Sequence, residues 1–166
     1  MTDDDGLSPT PEASRPLWAP WRMEYLKGPK PEGCPLCQAL AEDRLILHRG
    51  ERAFVIMNLY PYSNGHLMVA PIEHLSDLDL VDAEVGAEIL ELTKRSMAAL
   101  TATQRPEGFN IGYNLGKAAG AGIADHVHQH IVPRWVGDTN FMPVLAGRKT
   151  IGEAVEETLA KIREVF

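Results

Sequence analysis

Cysteine is nearly absent. Cys34 and Cys37 are the two in 166 residues, far too few for a secreted disulfide framework, so their Cys-Pro-Leu-Cys spacing points instead to metal or redox chemistry. No apolar run approaches the roughly 20 residues of a membrane span. The acidic start at Asp3, Asp4 and Asp5 also lacks the basic-then-apolar order of a secretory leader, which makes a soluble cytoplasmic chain the expectation. A basic excess is missing too. The net charge of -7 and pI near 5.3 give no field for counterion release, so nucleic acid is not an expected partner. The chain has no G-x-x-x-x-G-K-[ST] phosphate loop and no internal repeat. What it does have is 45% hydrophobic residues, enough for one sizeable core.

The pattern along the chain predicts one domain with extensions. Residues 1–16 are polar and aperiodic and read as a disordered tail. Leu17 to Leu26, rich in aromatics and proline, reads as an irregular packed segment, followed by a Gly/Pro/Lys linker from Lys27 to Gly33. A short helix is expected from Pro35 to Asp43. Strands are expected at Leu45–His48 and Ala53–Asn58, paired as a hairpin around Gly50, and at His66–Ala70 after the turn chemistry of Tyr60 to Gly65. Val85, Ile89, Leu90, Leu92 and Met97 recur near helical spacing, which predicts a long helix from Asp82 to about Leu100. Its acidic residues Asp82, Glu84, Glu88 and Glu91 read as a solvated surface. A strand near Phe109–Asn114, a Gly/Ala loop from Leu115 to Ile123, a strand from about Asp125 to Pro133 and a helix from about Ile151 to Ile162 complete an α+β class with a mainly antiparallel sheet. The implied boundaries are 1–16 for the tail, 17–142 for the domain and 143–166 for a C-terminal helical extension packed on it.

Half of the six histidines fall in His126-Val127-His128-Gln129-His130. On a strand, the three would share one face at steps of about 6.6 Å, with Val127, Gln129 and Ile131 on the other. A single histidine is most simply a hydrogen-bonded structural residue. Three in alternation call for a job, because each buried ring needs a partner. Two jobs compete: ligation of one catalytic zinc, or attack of a neutral imidazole on phosphorus with its neighbours fixing tautomer and phosphate. Upstream, Gly116 to Gly122 can turn backbone N–H groups toward an anion, with Lys117 adding charge, which favours phosphate chemistry. On its own that loop reads equally as a flexible connection.

The run Asp125 to Arg134 resembles the signature of the histidine triad (HIT) family, and Gly65 to His74 is similar to that family's second block. Adding Leu17 to Tyr25 and Trp135 to Met142, the likeness spans nearly all of the chain beyond its tail, and it is strongest to the branch with bacterial diadenosine tetraphosphate phosphorylases. The resemblance implies a HIT-like antiparallel sheet of about five strands and a homodimer whose two sheets join. It implies that His128 attacks the α-phosphorus to form a nucleotidyl-histidine and that His130 supports the phosphate or leaving group. Asn58 falls where the family contacts ribose, commonly with Asp, and Asn114, Gly120 and Gly122 fall where it contacts phosphates. Gln129 replaces the usual apolar residue and is expected to point away from the nucleophile.

Cys34 and Cys37 have the spacing of half a zinc site. Four histidines are available for the other half, and the resemblance favours His74 and His126 over His48 and His66, which makes the zinc structural. A thioredoxin-like redox pair and two plain reduced cysteines are the rival readings. Trp18, Trp21 and Trp135 read as packing before adenine contacts. The functional expectation is therefore cleavage of dinucleoside polyphosphates, a small-molecule nucleotide substrate, with phosphorylase preferred to hydrolase. Nucleoside phosphoramidate hydrolysis and a slow nucleotide-binding signalling module are the alternatives.

Overall fold

The computed structural model describes residues 33–138 and 151–166. The expected tail, the aromatic segment, nearly all of the following linker and the Thr139–Met142 end of the family-like stretch lie outside those residues. Helix α1 spans Pro35–Ala41, strand β1 Ile46–Arg49, β2 Ala53–Met57, β3 Leu67–Pro71, helix α2 Ala83–Gln104, β4 Gly108–Tyr113, β5 Gln129–Arg134 and helix α3 Val155–Arg163. The five strands form one sheet in the order β1-β2-β3-β5-β4, every pair antiparallel. This is the α+β class expected, with β1 and β3 displaced by one residue from their predicted bounds.

Alternation along the strands divides two cores. Ala53, Val55, Met57, Leu67, Val69 and Ile131 meet α2 and α3 through Val85, Ile89, Leu92, Leu100, Leu159 and Ile162. Phe54, Ile56, Met68 and Ala70 face the other way, against Leu36, Ala39 and Leu40 of α1. β2 and β3 are buried along their whole length because both faces are covered, and so their sequences are nearly continuous in apolar residues.

Helix α2 starts where Asp82 accepts a hydrogen bond from Val85 N–H at 2.8 Å, an N-cap that satisfies an otherwise orphaned donor. It runs past the expected Leu100 to Gln104 and stops at Arg105, whose φ is 51°, one residue before Pro106. Apolar periodicity fades after Leu100, so the sequence understates this last turn. The acidic face of α2 also does more than meet solvent. Glu88 accepts the backbone N–H groups of Glu51 and Arg52, each at 2.8 Å, and Glu84 pairs with Arg52 at 2.5 Å, tying the β1–β2 turn to the helix. Helix α3 begins at Val155, later than the expected Ile151. Glu153 precedes it and accepts from Thr158 and Lys161.

The largest departure lies at β5. Its pairing with β3 and β4 stops at Gln129, and Val127 N–H instead donates to Leu75 O at 2.7 Å. His126 and His128 therefore sit on irregular backbone before the strand, and only His130 belongs to it.

Candidate active site and metal cluster

His130 projects from β5 opposite Met68 and Gly112, on the α1 side of the sheet. Its neighbours fix its proton. Tyr62 N–H donates to His66 Nδ1 at 3.0 Å, and a backbone amide can only donate, so that nitrogen carries a lone pair and the His66 proton sits on Nε2. From Nε2 it is donated to His130 Nδ1, 3.0 Å away, and His130 in turn keeps its own proton on Nε2. Asn114 stands with Nδ2 3.2 Å from that nitrogen, and two donors cannot pair, so the amide is assigned the flipped orientation. The network requires it to present its oxygen there. His66 is fully buried, and burial, followed by the charges of His130 and His128, lowers its pKa to about 3. It is neutral, as the relay requires.

His128 is oriented separately. Its Nδ1–H donates to the His126 carbonyl at 2.8 Å, which places the lone pair on Nε2. That nitrogen has no hydrogen-bond partner among the described residues. Burial holds the imidazole below its usual range, only partly opposed by the bond to the His126 carbonyl. The ring is 6% exposed and stands edge-on to His130, with centroids 4.9 Å apart. The pair thus presents a neutral nucleophilic nitrogen beside an N–H donor, the arrangement that covalent catalysis at phosphorus requires.

His126 turns away to a second cluster. Cys34 is the N-cap residue of α1 and Cys37 lies in its first turn, while His74 follows β3. His126 Nδ1 lies 3.3 Å from Cys34 Sγ and 3.5 Å from Cys37 Sγ, and His74 Nδ1 lies 3.4 Å from Cys37 Sγ. All four ligand atoms fall within 4.8 Å of one another. Zinc bonds of about 2.3 Å to sulfur and 2.0 Å to nitrogen at a tetrahedral angle span edges of about 3.5 Å, so the donor set fits that ion. His126 Nε2–H donates to Pro71 O at 2.9 Å, which leaves the Nδ1 lone pair facing the sulfurs, the outer hydrogen bond a ligating histidine needs. Burial pushes the His126 imidazole down and raises the Cys37 thiol, with Cys34 adding to the rise. His48 and His66 stand elsewhere: His48 packs on Phe166 with ring centroids 5.2 Å apart, and His66 belongs to the relay.

The family model described as HIT domain matches residues 40–136. The chain belongs to the HIT family. It is 38% identical over 168 residues to the AP-4-A phosphorylase of Mycobacterium tuberculosis, covering 93% of this chain and 85% of that one. A Zn-bound histidine triad family protein from Mycobacterium smegmatis superposes with a TM-score of 0.66 at 26% identity, over 80% of this chain and 92% of that chain. A hypothetical histidine triad nucleotide-binding protein from Sulfolobus tokodaii gives the same TM-score and identity, over 80% and 91%.

Within this HIT domain, Gln129 sits as its position in the sequence predicts, while Asn58 and the Gly/Ala loop are more engaged than theirs suggest. Gln129 points to the α2 side, between Thr93 Oγ1 at 2.5 Å and Tyr113 OH at 3.2 Å, away from His128. Asn58 spends its oxygen on Tyr60 N–H at 2.9 Å, and its amide nitrogen is 3.3 Å from His66 Nδ1. The Gly/Ala loop is less open to anions than its composition suggests. Gly120 N–H and Ala121 N–H close onto Lys117 O and Gly116 O at 3.0 and 3.3 Å, while Gly122 is exposed. Trp135 is half-buried, and Trp18 and Trp21 lie outside the described residues. The sequence reading weighed His66 only as a spare metal ligand. A histidine opening a wholly apolar strand after the Tyr60–Gly65 turn was the available sign of its relay position.

Proposed function

We propose that the chain cleaves dinucleoside polyphosphates, diadenosine tetraphosphate first among them, through a nucleotidyl intermediate on His128. The observation that carries the reading is the lone pair on His128 Nε2, on a ring whose centroid is 4.9 Å from that of His130, which carries its proton on Nε2. Nε2 attacks the α-phosphorus, the bond to the bridging oxygen breaks, and the departing polyphosphate takes the electron pair, its charge met by a hydrogen bond from His130 Nε2–H. An acceptor oxygen then attacks phosphorus and the N–P bond breaks. Inorganic phosphate is preferred to water as that acceptor, on the strength of the mycobacterial relative's name. Asn58 would offer its amide N–H to ribose, since its oxygen is engaged, and Asn114, Gly120 and Gly122 line the phosphate side.

The cluster of Cys34, Cys37, His74 and His126 would hold one zinc ion as a closed structural tie between α1 and the loop before β5. A homodimer is supported by β4, an edge strand of the sheet among the described residues, whose exposed Ile111 suits pairing with a second copy.

Incubation with diadenosine tetraphosphate, with and without inorganic phosphate, tests the chemistry. ADP and ATP formed only with phosphate is the expected result. AMP and ATP would mean a hydrolase, faster turnover of an adenosine phosphoramidate would mean the phosphoramidase alternative, and AMP binding without turnover would mean a signalling module. His128→Asn should lose at least about a thousandfold in kcat while binding AMP nearly as before, because chemistry alone is removed.

A further inference from the structure

His126 stands between the two clusters with three of its polar groups engaged. Its Nδ1 faces both thiols, at 3.3 and 3.5 Å, its Nε2–H is committed to Pro71 O, and its carbonyl receives the Nδ1–H of His128. The residue is 0% exposed, so among the described residues its Nδ1 lone pair is satisfied by a thiol S–H or by a metal bound between them. Taking both away strands a buried acceptor, and the ring must then move toward a new partner. Any such movement pulls on the carbonyl that sets the tautomer of His128.

The two sulfurs are placed where they can be taken away. Cys34 caps α1 and Cys37 sits in its first turn, with Sγ atoms inside the 4.8 Å cluster, within side-chain reach of a disulfide. Both are half-buried and His74 beside them is exposed, while His126 lies beneath. A small oxidant therefore meets sulfur before it meets the imidazole.

The geometry points to a thiol switch: oxidation of Cys34 and Cys37 to a disulfide disables His128 through His126. With hydrogen peroxide, one sulfur attacks a peroxide oxygen, the O–O bond breaks and water leaves, giving a sulfenic acid. The second sulfur attacks the first and expels a second water. Two thiols lose two electrons and two protons, and the peroxide becomes two waters. A metal at the cluster loses two of its four ligands and is released. The inference rests on His128 being the nucleophile.

Reduced protein of measured zinc content, uniformly ¹⁵N-labelled at histidine, is titrated with hydrogen peroxide. Free thiols, intact mass, zinc captured by a chromogenic chelator, cleavage rate and the His128 ring nitrogen signals are followed together. The expected course is loss of two thiols, loss of two hydrogens in mass, release of any zinc present, collapse of the Nδ1–H signature of His128, and a fall in kcat of roughly tenfold or more. Dithiothreitol with zinc should restore all of them. Cys34→Ser, which cannot close the disulfide, should keep whatever rate it has under the same peroxide. A disulfide that forms with kcat and the His128 signals unchanged would overturn the coupling, and thiols that survive excess peroxide would overturn the switch. If the protein proves to have no turnover, the ring signals still report the coupling, so the two failures are told apart.

Discussion

At the scale of single residues, proton placement decides what the histidines can do, and one backbone amide decides proton placement. Tyr62 N–H forces the His66 proton onto Nε2, and the relay passes that choice to His130. Replacing His66 by Phe keeps the bulk but leaves His130 Nδ1 without its donor. The penalty for a stranded buried acceptor is about 1–3 kcal/mol, which corresponds to roughly five- to a hundredfold in kcat if it falls on the transition state. Steady-state kinetics should show the loss in kcat with little change in KM; an unchanged kcat would remove His66 from the relay. His128 is put forward as the nucleophile by the triad's resemblance to the HIT family. His66 is marked locally only by its place at the start of an apolar strand, which does not name its partner, because that partner is 64 residues away in the chain.

At the scale of elements, the lesson comes from β5. Alternating histidines read as one strand face, yet a strand exists only where neighbours offer a ladder, and both β3 and β4 run out at Gln129. The irregular lead-in lets His126 turn toward α1 while His128 and His130 stay side by side. The turn before β3 is equally demanding. Gly65 has φ 72°, and a Cβ there would lie 2.8 Å from Leu100 Cδ2 and 2.6 Å from Gln104 Oε1. Gly65→Ala should therefore cost about 1–3 kcal/mol. Because His66 is the next residue, kcat should fall with it. Urea midpoints and kinetics on the same preparation check both effects, and a variant with native values would show that the turn has room to spare.

At the scale of the whole molecule, buried histidines tie stability to pH. The folded chain holds His66 near pKa 3 against the usual 6.5, so between those values the unfolded chain binds a proton that the fold refuses. The stability due to this group is intact above pH 6.5 and falls as pH drops toward 3, by up to about 1.4 kcal/mol per pH unit. Urea midpoints at pH 7 and pH 5 should show this slope, and His66→Phe should flatten it. Removal of metal by a strong chelator should lower stability by roughly 3 kcal/mol or more, read as a falling thermal midpoint, if zinc ties α1 to the loop before β5. The amino-acid pattern by itself determined the fold class, the antiparallel sheet and the long helix, because periodicity is a local property, and the triad's likeness to the HIT family put His128 forward as the nucleophile. It also offered Cys34 and Cys37 as half of a metal site. Only the tertiary structure brings His74 and His126, rather than His48 or His66, beside those cysteines, since four histidines were available and proximity is a three-dimensional property. It alone showed that the triad is split between two clusters, because where a strand ends depends on its neighbours and not on its own sequence.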